Sequence, residues 1–204
     1  MKVRELLGKA TKLKKANKVK EAIKILEEAY TKGTFVSISE ETDDYIDNPI
    51  YIRDLVRKAK YLQKIGKANE ALQYLDKLIP AAVNAANRNF WYIQELSDLY
   101  NDKAIILMRE KRFDEEFVMR MKSYCLDGIL CKIKSNSKDK YLSERFIPIY
   151  ENIVSPVEIE KYIERKIKKT SFEIDKKVIA NKIIEIISLN FSPKKISNDL
   201  SELF

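Results

Sequence analysis

The chain has 204 residues, a net charge of +8 with a pI near 9.2, an apolar content of 45% and no histidine. Without imidazole, Ser-His-Asp and Cys-His nucleophilic systems and any His-ligated zinc site are excluded. Four Gly and five Pro leave little room for turn-rich β architecture, and 34% charged residues in Lys/Glu/Ile/Leu-rich stretches suit long amphipathic helices, so the predicted class is all-α.

Met1 opens directly into a charged amphipathic pattern, and no apolar run approaches the roughly 18 residues of a membrane span. The expectation is a cytoplasmic protein with no membrane segment. The first predicted helix covers 2–15, with Leu6, Ala10 and Leu13 on one stripe. Asn17 then stands where a turn needs a residue tolerant of positive φ, and a second helix over 18–31 carries Ala22, Leu26 and Ala29. A connection, Gly33–Pro49, follows, with Glu40, Glu41, Asp43, Asp44 and Asp47 close together. It lacks the alternating Asp spacing and central Gly of a calcium loop, so no metal is assigned to it. Its plain reading is a solvated loop; the alternative is a loop that folds against nearby basic helices and competes with an acidic ligand.

The segment Leu6–Tyr30 recurs 49 residues later as Leu55–Ile79, with nine of 25 positions identical. Leu6/Leu55, Ala10/Ala59, Leu13/Leu62, Ala22/Ala71 and Leu26/Leu75 are the shared apolar positions, and Gly66 replaces Asn17 in the turn. The recurring unit is a helix hairpin, its second copy predicted over 50–65 and 68–85 and lengthened by the Ala/Asn-rich stretch after Pro80. A third, weaker copy places helices over 89–109 and 113–133 around a turn at Glu110–Arg112. Here Ala104 and Leu107 keep the pattern, while Glu116 and Arg120 depart from it. Phe90, Trp91 and Tyr92 open this copy and are expected to pack between helices. Cys125 and Cys131, six apart on one helix, point to different faces and read as reduced, partly buried thiols. After a polar stretch, Lys134–Lys140, helical patterns cover 141–153, 156–169, 173–190 and 193–203. A stacked array needs its exposed end covered, so this tail is read as a cap, with an apolar stripe that leaves homo-oligomerisation open.

Ala10/Leu13/Ala22/Leu26/Ala29 and Leu55/Ala59/Leu62/Ala71/Leu75 resemble the tetratricopeptide repeat, although the units lie 49 and 45 residues apart against the roughly 34 of that family. The resemblance implies a right-handed helical-hairpin solenoid over 1–134, with capping helices over 135–204. It also implies that ligands lie in a concave groove lined by the first helix of each hairpin. Carried over, the groove positions are Arg4, Leu7, Thr11, Lys14 and Lys15, then Arg53, Val56, Lys60, Gln63 and Lys64, then Asp98, Asn101, Ile105, Met108 and Arg109. Seven of these fifteen are Lys or Arg and one is acidic. The partner-binding residues expected are therefore Arg4, Lys14, Lys15, Arg53, Lys60, Lys64 and Arg109. A Lys/Asn/Asn/Lys/Arg set grips C-terminal carboxylates in part of the family; here Leu7, Thr11, Arg57, Asp98 and Asp102 occupy those places, and the match fails.

These features point to a scaffold or adaptor that binds a protein or acidic peptide in a mildly basic groove. No catalytic residue, cofactor or metal is expected. The alternative is a nucleic-acid-associated regulatory protein that uses its net positive charge.

Overall fold

A computed structural model describes residues 1–36, 48–89, 92–173 and 175–188. Among them lie nine helices and one short strand pair, so the chain is all-α. The acidic cluster Glu40–Asp47, Phe90 with Trp91, and the helix expected over 193–203 lie outside the described residues. The chain divides into two units, Met1–Asn89 and Phe90–Phe204.

The first unit holds two hairpins: α1 (Val3–Lys15) with α2 (Val19–Lys32), and α3 (Ile52–Lys64) with α4 (Ala68–Arg88). Most of the apolar positions shared by the two sequence copies lie in its core, while Leu13 and Leu55 are half-buried. Leu6, Ala10, Ala22 and Leu26 are fully buried, and so are Ala71 and Leu75. Burying a leucine side chain is worth about 1.5–3 kcal/mol, and the small alanines between them let the paired helices approach closely. Two-residue strands β1 (Thr34–Phe35) and β2 (Pro49–Ile50) pair in parallel between the hairpins. Gly33 precedes this pair because a Cβ there would stand 2.2 Å from Ile50 Cδ1.

The copies extend to the capping atoms. In α1 the Glu5 carboxylate accepts the backbone N–H of Lys2 (3.1 Å), and in α3 Asp54 accepts that of Tyr51 (3.4 Å), again 49 positions on. Both carboxylates satisfy an amide that the helix itself leaves without a partner. The turns agree as closely. Asn17, Gly66 and Lys111 have positive φ, at 61°, 78° and 60°. The following N–H of Lys18, Lys67 and Arg112 reaches back to Leu13, Leu62 and Leu107 at 2.9, 3.0 and 2.9 Å. This is the Schellman closure of a helix C-terminus, made three times at spacings of 49 and 45 residues.

The third closure belongs to the second unit, where α5 (Tyr92–Arg109) pairs with α6 (Phe113–Ser135), and α7 (Lys140–Ile153), α8 (Pro156–Ile167) and α9 (Lys176–Ser188) follow. Its helix α5 is described from Tyr92, and the start expected at 89 does not hold. Asn89 takes an extended conformation as the C-cap of α4, which runs through Pro80 to Arg88. Glu116 and Arg120, the two departures from the repeat pattern, account for each other: they form a half-buried ion pair at 3.3 Å, and Arg120 also donates to Asn101 of α5. Ile159 and Ile163 of α8 and Ile183 and Ile187 of α9 are fully enclosed. Gly128 of α6 lies where a Cβ would meet Ile187 Cδ1 at 2.4 Å and Ile153 Cγ2 at 3.2 Å, so α7 and α9 both close onto that point. Tyr92, the described member of the aromatic run, is buried.

Candidate functional site

Helices α1 and α3 begin beside each other, and their first turns border a cleft of about 720 Å³. Lys2 and Arg4 reach it from the start of α1, Arg53 and Arg57 from α3, and Asp54 is the carboxylate among them. Asn48 and Pro49 complete one wall, and the Asn48 side-chain carbonyl accepts the Val3 N–H at 3.3 Å.

The electrostatics of the cleft turn on Asp54, which is only 6% exposed. Its Oδ1 meets Arg57 Nη2 at 2.9 Å and its Oδ2 caps α3, so one buried carboxylate is used twice. Arg57 Nη1 also donates to Thr11 Oγ1 at 3.5 Å, and the Thr11 hydroxyl donates to the Leu7 carbonyl. The guanidinium is thereby held in one orientation where Arg57 lines the cleft. Arg53 lies over the Tyr51 ring at 5.0 Å. Behind the cleft the Tyr30 hydroxyl donates to the Asp54 carbonyl at 2.7 Å, and burial pushes that phenol far above its ordinary range. Among the described residues four cations against one carboxylate leave the cleft positive. The N-terminal ends of two helices, whose dipoles favour anions, add to that field.

The seven expected binding residues separate. Arg4 and Arg53, equivalent positions in the two copies, meet in the cleft. Lys64 instead borders a shallower depression of about 460 Å³ with Lys18, Lys20 and Glu21, next to the first turn. Lys14, Lys15 and Lys60 line neither of these, and Arg109 closes α5 in the second unit. Of the other groove positions, Leu7 is 7% exposed and borders the cleft, while Val56 is 6% exposed and is not among the residues that line it. Lys2 and Arg57 were missed. Their signal was present in Arg57 lying one turn after Arg53 on the same face, with Asp54 placed at i−3 to hold it.

In the second unit a buried polar cluster joins two helices. The Ser97 hydroxyl donates to Asp127 Oδ1 at 2.6 Å and lies 2.9 Å from the Ser123 hydroxyl, joining α5 to α6. Burial raises the Asp127 pKa, with Asp98 adding to the rise and the Ser97 hydrogen bond opposing it. Ser97 and Ser123 are 2% and 8% exposed and Asp127 is half-buried, so the cluster acts as a polar staple between the two helices. Cys125 is enclosed, with burial pushing its thiol up to about 12, and Cys131 is raised for the same reason; both are unpaired. Among the described residues no three His, Cys, Asp or Glu side chains gather as metal ligands. No described helix is long and apolar enough to cross a membrane. No family model matches the chain, and neither a curated protein nor a solved structure does.

Proposed function

We propose that this chain is a cytoplasmic interaction scaffold of tetratricopeptide-like hairpins, without catalytic chemistry of its own, and that it holds an acidic segment of a partner protein on the cationic surface of α1 and α3. One observation carries this reading: four cationic side chains from the starts of two helices converge on one cleft, with Arg57 fixed by the buried Asp54. Arg4 and Arg53 form the centre of the proposed surface, and Lys14, Lys15, Lys60 and Lys64 extend it along the same two helices. Arg109 has the corresponding place at the end of α5. Fixed cations facing an acidic chain set register and speed encounter. The three matching turns support the repeat architecture, and two buried, unpaired thiols suit a reducing compartment.

Fluorescence anisotropy with a short Glu/Asp-rich peptide tests the reading, with a mixed-sequence DNA duplex as the competing ligand. Saturable peptide binding is expected, weakened about tenfold by the pair Arg4→Glu and Arg53→Glu and less by Lys14→Glu with Lys60→Glu. The alternative, a nucleic-acid regulator, requires DNA affinity that falls steeply and linearly on a log–log plot against salt. DNA binding of that kind, or peptide binding indifferent to the arginine pair, would replace this function with another.

A further inference from the structure

The basic cleft carries more information than its sign. Arginine supplies nine of the 39 Lys and Arg residues in the chain, yet three of the four cations in the cleft are arginines. A surface that needed positive charge alone would draw on the abundant lysines, as the flanking positions Lys14, Lys15, Lys60 and Lys64 do. Guanidinium differs from ammonium in its planar fork, which pairs two donors with two oxygens of one oxyanion. Arg57 has that fork oriented in advance by Asp54 and Thr11, so little rotamer freedom is left to lose when an anion arrives. Asp54 is fully occupied by the Arg57 Nη2 and the Tyr51 N–H. Among the described residues it balances one cation, and the charge of the other three is open to a ligand. A carboxylate brings one negative charge, whereas a phosphomonoester brings about 1.5 to 2 near neutral pH and three acceptor oxygens.

We propose that the cleft recognises a phosphoryl group on a peptide, with Arg4, Arg53 and Arg57 grasping the phosphate oxygens and Lys2 at the rim. This rests on the peptide-binding reading above and names the group that the peptide presents. At about 720 Å³ the cleft is far larger than a phosphate alone, within the range of sites that enclose a ligand of several hundred daltons, and it leaves room for flanking residues. The convergence of the arginines on a single cleft fits one dianion better than the evenly spaced monoanions of a nucleic-acid backbone.

The test uses the full chain and three peptides that differ at one central position: phosphoserine, serine or glutamate, each within the same degenerate flanks. The phosphoserine peptide is expected to bind at least about tenfold more tightly than either twin. Its affinity should fall as pH drops below about 6, where the phosphate takes up its second proton. Arg4→Ala and Arg53→Ala, both at exposed positions that leave the core intact, should each remove most of that preference. Arg57→Lys keeps a partner for Asp54 and loses the fork, so it should weaken the phosphoserine peptide much more than the glutamate one. Inorganic phosphate should compete, at far higher concentration than the peptide. Equal affinity for phosphoserine and glutamate overturns the phosphoryl assignment and leaves acidic-peptide binding standing. If inorganic phosphate binds as tightly as the phosphopeptide, the ligand is a small phosphorylated molecule and the peptide part falls. Binding of none of the three overturns both readings.

Discussion

Lys111 sits at a φ of 60° with a side chain exposed to solvent, while the equivalent places hold Asn17 and Gly66. An L-residue with an ordinary Cβ is strained in that region by about 1–2 kcal/mol, Asn less so, and Gly not at all. Lys111→Gly should therefore stabilise the protein by about 0.5–1 kcal/mol after the extra entropy of the unfolded glycine is counted. Chemical denaturation measures this directly, and a loss of stability would mean that Lys111 makes a compensating contact. A second residue-scale expectation concerns Asp127. Burial raises its folded pKa above the unfolded value, so its contribution to stability is fully present below the ordinary carboxylate pKa near 4 and is lost as pH rises through the raised value. At neutral pH the ionised group is therefore a liability. Asp127→Asn keeps an oxygen to accept from Ser97 and should raise the melting temperature at pH 7, with the advantage shrinking as pH falls toward 4. A variant equally or more stable at pH 4 than at pH 7, relative to the parent, would contradict this assignment of cause.

Among the helices, α6 is approached closely at Gly128. The hydrogen of Gly128 faces Ile187 of α9 and Ile153 of α7, and an added methyl would intrude to 2.4 Å from Ile187 Cδ1. Gly128→Ala should cost about 1–3 kcal/mol as an overpacking change. Adding Ile187→Val, which removes the Cδ1 atom, should recover part of the loss; no recovery would place the strain in the α6 backbone instead. The hairpins themselves were legible in the residues. Leu6, Ala10 and Leu13, and then Ala22, Leu26 and Ala29, recur at helical spacing, and a turn that needs positive φ announces itself as Asn or Gly. Lys111 carried no such signal, and only its distance from Gly66 marked it. The pairing of Glu116 with Arg120 was hidden for another reason. Each looked like a misplaced polar residue until α5 brought Asn101 alongside. The candidate site was legible only by halves. A helix face can be read from one segment, so Arg4 and Arg53 emerged together as equivalents. Which side chains of two separate helices meet depends on how their starts are set beside each other, and that brought in Lys2 and Arg57 while leaving Lys14 and Lys60 outside the cleft.

Across the whole molecule a net charge of +8 is thinly spread. Most described ion pairs join residues three or four apart on exposed helix faces, such as Lys32 with Glu28 and Lys67 with Glu70, and such pairs contribute about 0–1 kcal/mol each. They tune solubility more than they recognise anything, so overall charge is a poor guide to partner, and local convergence of cations is the better one. Asp54 shows what that convergence implies. Through its carboxylate it caps α3 and orients Arg57, and through its carbonyl it receives Tyr30 from α2. The packing of one hairpin on the next and the shape of the anion site thus share a residue, and the two equilibria are linked. An anion that engages Arg57 only in the folded chain must raise the stability of the hairpin pair, by about 2.7 kcal/mol at a hundred times its Kd. Reciprocally, whatever loosens Tyr30 from Asp54 must weaken the anion, although it lies outside the cleft. A melting temperature could thus report what the cleft is holding.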